Sequence, residues 1–241
     1  MAFTDFDLSG RAAIVAGGAR GMGRAIAAAF AARGAQVLVA DVVQPDELPQ
    51  GVSFFRADVR AEADIAALMA QCRVQYGHLD ALVNAVRCRA PAGGMDCGAF
   101  SACLDTNVTG ALRLMQHAAA MMRPRGGSII NIIPMDGAQV SWLEPDCAAA
   151  ASGAAVTALT KTLAALWTKN GVRVNAIAVG PDVNSAQGCD AVRLEEQLRF
   201  TPQGRLAQPE DVVGAAVYLA SAGASYTSGH VLVLDGGHHA Y

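Results

Sequence analysis

A glycine-rich segment near the N-terminus has the residue types and spacing of a turn that binds the phosphates of a dinucleotide. Gly17, Gly21 and Gly23 follow the apolar run Ala12–Ala16 and precede an Ala-rich helical pattern. Glycines let the backbone turn sharply and approach a pyrophosphate, and free N–H groups at the helix start receive the anion. Asp41 ends the next apolar run, where a carboxylate accepts both ribose hydroxyls of an adenosine but repels a 2′-phosphate, which favours NAD over NADP. The alternative is a tight structural turn beside an ordinary surface acid.

Apolar runs of two lengths alternate along the chain and indicate the elements that must position this turn. Short β-rich runs alternate with longer Ala- and Leu-rich runs of helical period, which is typical of βα units that build a parallel sheet. No linker or repeat divides the 241 residues, so we predict one domain, 1–241, with a three-layer, doubly wound Rossmann fold and a seven-stranded parallel sheet. The predicted strands are Ala12–Ala16, Gln36–Ala40, Val52–Arg56, Leu79–Asn84, Ser128–Ile133, Val172–Ala178 and His230–Leu234. The predicted helices are Gly23–Arg33, Glu62–Tyr76, Phe100–Met122, Ala148–Lys169 and Pro209–Ala220, with an amphipathic helix in the region Val183–Phe200.

Composition and charge exclude several classes of protein. The formal net charge of −3, from 18 Lys and Arg against 21 Asp and Glu, comes without a basic run, so nucleic-acid binding is not expected. The longest stretch without Asp, Glu, Lys or Arg, Val212–Leu234, is interrupted by polar residues and Gly, so a membrane span is not expected. The N-terminus has no secretory pattern, and the six cysteines have no metal-ligand spacing. We therefore expect a cytoplasmic protein with reduced thiols and no metal site.

The chain resembles the short-chain dehydrogenase/reductase family over nearly its whole length. Residues 16–23 match the family pattern T-G-x-x-x-G-x-G with Ala16 in place of Thr. Further motifs follow in the family's order, namely Ala57-Asp58-Val59, Asn107-Val-Thr-Gly, Gly127-Ser-Ile-Ile-Asn131, Val172-Arg-Val-Asn175 and the C-terminal stretch Ser228–Gly237. The cofactor-binding residues that the resemblance implies are Gly17, Arg20, Gly21, Met22, Gly23, Asp41, Asp58, Val59 and Asn84.

The catalytic residues of the family are missing from this sequence. Family members transfer a hydride between nicotinamide and a carbonyl or alcohol with a Ser, a Tyr and a Lys, and an Asn supports a water relay. Asn107 matches the Asn. Pro134 stands at the Ser position, Ala149 at the Tyr position and Gly153 at the Lys position. Catalysis of the family type is therefore not expected.

The nicotinamide end of the implied cofactor site is also altered. The family's N-N-A-G after the fourth strand reads Asn84-Ala-Val-Arg87, and the usual Pro-Gly after the sixth strand reads Val179-Gly180-Pro181. Arg87 places a long cation where Gly leaves room beside the dinucleotide, so it either obstructs NAD or reaches its pyrophosphate. The adenosine half is better preserved, and NAD binding stays an open expectation.

Three hypotheses for function follow from this combination. In the first, the chain is a non-catalytic subunit of a tetramer, a homo- or hetero-oligomer, and accompanies an active NAD-dependent alcohol or 3-hydroxyacyl dehydrogenase chain. A precedent within the family is a dehydrogenase of anaerobic toluene breakdown, in which an inactive chain accompanies an active one. In the second, loop acids (Asp136, Glu144 and Asp146) catalyse a non-redox dehydration or isomerisation, or Cys147 acts as a nucleophile. In the third, the chain is an NAD-dependent oxidoreductase with an unorthodox proton relay.

Overall fold

Seven parallel strands form the central sheet of the computed structural model, which describes residues 6–89, 96–123, 125–135, 146–183 and 191–240. The strands lie in the order β3-β2-β1-β4-β5-β6-β7. Their bounds are Ala12–Ala16 (β1), Gln36–Asp41 (β2), Val52–Arg56 (β3), Ala81–Asn84 (β4), Gly127–Pro134 (β5), Val172–Val179 (β6) and Val231–Leu234 (β7). The predicted doubly wound fold with seven parallel strands is confirmed.

Helices connect the strands. They are Gly21–Ala32 (α1), Glu62–Tyr76 (α2), Cys97–Leu104 (α3), Ala111–Met122 (α4), Cys147–Trp167 (α5), Ala191–Arg199 (α6) and Val213–Ala220 (α7). A π-helical segment, Asp105–Gly110, joins α3 to α4, and short 3₁₀ segments lie at Thr168–Asn170, Pro209–Val212 and Ala222–Ala224.

The sheet is buried on both faces, as expected of parallel strands flanked by helices. Side chains alternate along β1, so that Ile14 and Ala16 join one core with α2, α4 and α5. Ala13 and Val15 point to the other face and join a second core with α1 and α7. Each side of the sheet therefore has its own hydrophobic core. A smaller cluster of Ile133, Val156, Ala176 and Ala178 lies between β5, β6 and α5.

The order of the strands reverses between β1 and β4. β2 and β3 lie on one side of β1, and β4 to β7 follow on its other side. In open α/β sheets, ligands bind in the crevice at the carboxyl ends of the two strands where the order reverses. The glycine-rich turn after β1 and the loop after β4 lie at this crevice, which places the predicted cofactor site there.

The long helix predicted from Phe100 begins earlier and contains an irregular segment. The Asp96 carboxylate accepts a hydrogen bond from the N–H of Ala99 at 2.8 Å and caps α3, which therefore begins at Cys97. A π-helical segment follows, and such segments are common at functional sites. The periodicity of the sequence predicted the helix but did not reveal the widened turn inside it.

The helical segment Cys147–Asn170 is long and apolar enough, by length and composition, to cross a membrane. One such helix is weak evidence, because the core helices of soluble proteins meet the same criterion. In this fold its inner side packs on the sheet, where Leu163, Ala164 and Trp167 join the core.

We predict that Gly23→Ala destabilises the fold. A Cβ at Gly23 would lie 2.2 Å from the carbonyl oxygen of Gly17 and 3.0 Å from Cα of Gly18, and backbone cannot give way as a flexible side chain does. We expect a loss of about 1–3 kcal/mol in the free energy of unfolding, measured by urea denaturation. Gly214→Ala in α7 is the control, because no heavy atom lies within 4 Å of its added Cβ. It should be neutral or stabilise by up to about 1 kcal/mol, and equal losses in both variants would contradict the prediction.

Candidate active site and cofactor crevice

The turn after β1 is built so that only glycine fits it. Gly17 has φ +77°, and a Cβ there would lie 2.6 Å from the carbonyl carbon and oxygen of Ala85. Its N–H donates to the carbonyl of Ala40 at 2.8 Å. At the start of α1, Arg20 makes no side-chain capping bond. The side chain of Arg20 therefore does not cap the N–H groups at the start of α1. Such N–H groups can bind an anionic group.

Asp41 lies beside this turn at the end of β2. One carboxylate oxygen accepts the N–H of Ala19 at 3.2 Å and the other accepts the N–H of Val43 at 3.2 Å. A carboxylate has about four acceptor positions, so these two bonds orient the group and leave capacity for further donors. The geometry fits the predicted role of binding ribose hydroxyls.

Asp58 and Val59 follow β3 and are held by local contacts. The Asp58 carboxylate accepts three guanidinium bonds from Arg60, at 2.6 to 3.1 Å, and these bonds lower the pKa of Asp58. Val59 is buried against Gly110, where an added Cβ would lie 2.8 Å from Val59 Cγ2. These contacts hold the segment in place. A contact between Asp58 or Val59 and an adenine stays a prediction.

A small pocket, open to solvent, lies near the carboxyl ends of β4 and β5 and beside the first half of α5. It brings together the four positions that correspond to the family's catalytic residues, which are Asn107, Pro134, Ala149 and Gly153. The other lining residues are Asn84, Val86, Arg87, Cys88, Ile132, Ile133, Ser152 and Val156. The four positions that the resemblance assigned to the catalytic residues therefore surround one pocket.

The polar groups of this pocket are poorly suited to proton transfer. The described residues that line it include no tyrosine, lysine, histidine or carboxylic acid. Ser152 is buried, and its hydroxyl donates within α5 to the carbonyl of Ala148 at 2.6 Å. A general acid or base must exchange a proton near the working pH and reach the reacting atom. The lining groups that the structure describes do not supply such a residue of the family type.

Asn107 fastens the loop after β4. Its Oδ1 accepts the N–H of Cys88 at 2.7 Å, and its Nδ2 donates to the carbonyl of Cys88 at 2.9 Å. Nδ2 also lies 3.3 Å from Oγ of Ser152. The π-helical segment directs this side chain into the pocket wall, where its amide is used for internal hydrogen bonds.

Asn84 places an acceptor without a partner at the pocket. The residue is 5% exposed, and its Nδ2 donates to Oδ1 of Asn131 at 3.4 Å. Among the groups that the structure describes, its Oδ1 has no hydrogen-bond partner. A buried acceptor without a partner is destabilising, and this oxygen lies behind the pocket surface, where it has almost no accessible area.

An ion pair spans the carboxyl end of β5. Arg87 follows β4, Asp182 follows β6, and Nη1 of Arg87 lies 3.3 Å from Oδ2 of Asp182. The Asp182 side chain is 4% exposed, and a desolvated carboxylate needs partners. We did not predict Asp182 from the sequence. Arg87 was the available clue, because a cation in a crevice favours an acid nearby, but the sequence does not show which loop carries that acid.

Of the three loop acids, the structure describes Asp146 alone. Asp146 caps α5 by accepting the N–H of Ala149 at 2.9 Å, and its other oxygen lies 3.9 Å from Nε of Arg89. Asp136 and Glu144 lie outside the described residues. Cys147 is exposed in the first turn of α5. Over the described ranges, no three His, Cys, Asp or Glu residues are grouped as metal ligands.

The two halves of the crevice differ in how well they fit a dinucleotide. The glycine turn and the Asp41 carboxylate fit a pyrophosphate and an adenosine ribose. At the other half, the Arg87–Asp182 pair occupies the space between the loops after β4 and β6. The residues present therefore fit an adenosine diphosphate better than a nicotinamide riboside.

Comparison with known proteins agrees with the fold and motifs. The family model described as enoyl-(acyl carrier protein) reductase matches residues 17–239. The cis-4-hydroxycyclohexanecarboxylate dehydrogenase of Sinomonas cyclohexanicum is 35% identical over 243 residues, covering 95% of this chain and 97% of that protein. The L-fucose dehydrogenase of Mus musculus is 33% identical over 244 residues, covering 95% and 88% respectively.

Solved structures have the same fold. A short-chain type dehydrogenase/reductase from Mycobacterium marinum has a TM-score of 0.89 at 30% identity and covers 98% of each chain. A gluconate 5-dehydrogenase from Burkholderia cenocepacia, in complex with NADP and tartrate, has a TM-score of 0.90 at 28% identity over 100% of each chain. The chain belongs to the short-chain dehydrogenase/reductase family.

We predict that Arg87→Gly tightens the binding of NAD⁺ by about tenfold, or about 1.4 kcal/mol, because it removes the side chain that spans the crevice. Isothermal titration of the purified chain measures the change. Arg89→Gly is the matched control, since Arg89 is a cation of the same loop that pairs with Asp146 and does not line the pocket. A folded Arg87→Gly variant with unchanged affinity would show that Arg87 does not obstruct the cofactor.

Proposed function

We propose that this chain is a non-catalytic member of the family that assembles with a catalytically complete chain of the same fold, an NAD-dependent alcohol or 3-hydroxyacyl dehydrogenase. One observation carries the proposal. Pro134, Ala149 and Gly153 line a single pocket together with Asn107, so the three replacements lie together at one site. At these three positions, no side chain can polarise a carbonyl or transfer a proton.

The expected loss of rate is large. A positioned acid or base contributes roughly 10²–10⁴-fold to the rate of a reaction. The losses in rate caused by removing several residues that act as a unit do not simply add. Ala149 and Gly153 have no ionisable group, and Pro134 has no hydroxyl. Asn107 is bound to the backbone of Cys88 and cannot replace the three.

Cofactor binding is a separate part of the proposal. When bound, a nicotinamide cofactor supplies the hydride acceptor, and Gly17, Gly21 and Asp41 are the residues of this chain that would hold its adenosine diphosphate portion. The carboxylate of Asp41 favours NAD over a cofactor with a 2′-phosphate. The Arg87–Asp182 pair supports weak binding of the nicotinamide end. We therefore propose that NAD serves, at most, a structural role in this chain.

The outer faces of two elements support assembly. On α5, Ala154, Ala158 and Ala165 are exposed, and Leu166 is 54% exposed. Lys161 and Thr162 are exposed among them, so the side turned away from the sheet combines small and apolar residues with one cation. The last strand, β7, pairs with β6 at the end of the sheet, and its four apolar residues are half-buried. Apolar surface of this kind is typical of oligomer interfaces. A homo- or heterotetramer built through α4, α5 and β7 is the proposed assembly.

A second candidate is an NAD-dependent oxidoreductase in which water or a substrate group replaces the missing proton relay. The unpaired Oδ1 of Asn84 favours it, because Asn84 lines the pocket and its amide would gain a hydrogen bond by turning this acceptor toward a ligand. The named relatives are also dehydrogenases. This candidate requires hydride transfer by the chain without any partner.

Purification of the chain from its source cells, under native conditions, tests the proposal. We expect a particle that contains a second family member with intact Ser, Tyr and Lys residues. The isolated chain should transfer hydride roughly 10²–10⁴-fold more slowly than that partner, because it lacks the acid and the base. Native mass spectrometry identifies the subunits, and the absorbance of NADH reports activity.

The partner chain, purified alone and assayed in parallel, is the control for substrate and cofactor. A homo-oligomer of this chain that reduces or oxidises substrate at the partner's rate would refute the non-catalytic proposal and favour the second candidate. If the native particle contains no second dehydrogenase chain and the homo-oligomer is inactive, only the proposed assembly with a partner chain is refuted.

A further inference from the structure

Two cysteine side chains meet beside the pocket. Cys88 lies in the loop after β4 and lines the pocket, and Cys103 lies in the last turn of α3. Their Sγ atoms are 3.0 Å apart, and both thiols are free. The two residues are 15 positions apart in the chain and belong to different elements, so the contact is made by the tertiary fold.

The fold holds this pair in a reactive arrangement. Both backbone polar groups of Cys88 are bound by the amide of Asn107, at 2.7 and 2.9 Å, which fixes the loop against the π-helical segment. Cys103 is 1% exposed and is held by the core. A disulfide has an S–S distance near 2.0 Å, so the two sulfurs need to approach by only about 1 Å to be bonded.

The two thiols differ in accessibility, which assigns them different roles. Cys88 is partly exposed at the open pocket, whereas Cys103 is buried behind it. Burial, together with the neighbouring Cys88, raises the pKa of Cys103, so this thiol is a weak nucleophile until a base takes its proton. A soluble oxidant therefore meets Cys88 first, and Cys103 is positioned to resolve the oxidised product.

We propose that Cys88 and Cys103 form a redox-active dithiol that peroxide converts into an intramolecular disulfide. The Cys88 thiolate attacks one oxygen of hydrogen peroxide, the O–O bond breaks, and Cys88 becomes a sulfenic acid while hydroxide leaves and is protonated to water. The sulfur of Cys103 then attacks the sulfur of Cys88. The S–O bond breaks, and the departing hydroxyl takes the Cys103 proton as a second water. Two thiols are oxidised and one peroxide is reduced to two waters.

The bond would join the pocket wall to α3. Arg87 immediately precedes Cys88, so the disulfide restrains the same loop that carries the ion pair across β5. The inference does not depend on the proposed function, because it concerns a covalent state that is detected by mass whether or not the chain is catalytic.

The experiment treats the native oligomer with increasing hydrogen peroxide, blocks the remaining thiols and digests the protein with trypsin. Arg89 lies between the two cysteines, so trypsin separates them and a disulfide appears as a linked pair of peptides. We expect a loss of two free thiols, a mass decrease of two hydrogen atoms and a Cys88–Cys103 link located by fragmentation. Reduction with dithiothreitol should restore both thiols.

Two variants and a trapping reagent distinguish the pair from its neighbours. Cys97 is exposed at the start of α3 and lies on the same tryptic peptide as Cys103, so Cys97→Ser is the matched control and should keep the link. Cys103→Ser should lose the link and leave Cys88 as a sulfenic acid that dimedone labels. The proposal is overturned if the wild-type chain links Cys88 to Cys97, or if Cys88 proceeds to a sulfinic acid while Cys103 stays reduced. Fragmentation of the wild-type chain decides between these outcomes even if Cys103→Ser fails to fold.

Discussion

The parallel direction of all seven strands brings every functional segment to one edge of the sheet. The glycine turn follows β1, Asp41 ends β2 and Pro134 ends β5, and the loops that carry Arg87 and Asp182 follow β4 and β6. Because these strands are neighbours, residues far apart in the chain meet at the same carboxyl edge. The turn and the β4 loop approach so closely that Gly17 leaves no room for a Cβ against Ala85. The crevice therefore depends on this backbone contact, whatever chemistry the side chains carry.

The ion pair between Arg87 and Asp182 joins two loops of the crevice. Asp182 is almost fully buried, and a buried carboxylate without a partner is strongly destabilising. Arg87 supplies a cation from the loop two strands away. Gly153 and Ala149, at the positions that the resemblance assigns to Lys and Tyr, line the same pocket as Arg87, and its described lining residues include no lysine or tyrosine. The positive charge of Arg87 is thus engaged by the carboxylate of another loop at this edge of the sheet.

Elements with a clear local sequence pattern were predicted well, whereas contacts between residues far apart in the chain were not. The bounds of β1, β3 and α2 agree with the apolar periodicity, because alternation and helical spacing are local properties of the chain. Pro134, Ala149 and Gly153, which motif order assigned to the catalytic positions, line one pocket, and their role as replacements stays a prediction. The partner of Arg87 and the contact between Cys88 and Cys103 were missed, since nothing in the local pattern pairs residues from separate loops. The π-helical segment was missed because one widened turn barely changes the apolar periodicity.

Helix α5 shows how the residues of the pocket and the outer surface of the domain can vary independently. Its inner side carries Ala149 and Gly153 against the pocket, while its outer side carries Ala158 and Leu166 toward solvent. Opposite faces of a helix are set by different residues of the 3.6-residue repeat. A change in the residues that line the pocket therefore leaves the outer surface of the helix unchanged. Ala149 and Gly153 are small and buried, so the packing of the helix on β5 and β6 does not require a tyrosine or a lysine at these positions.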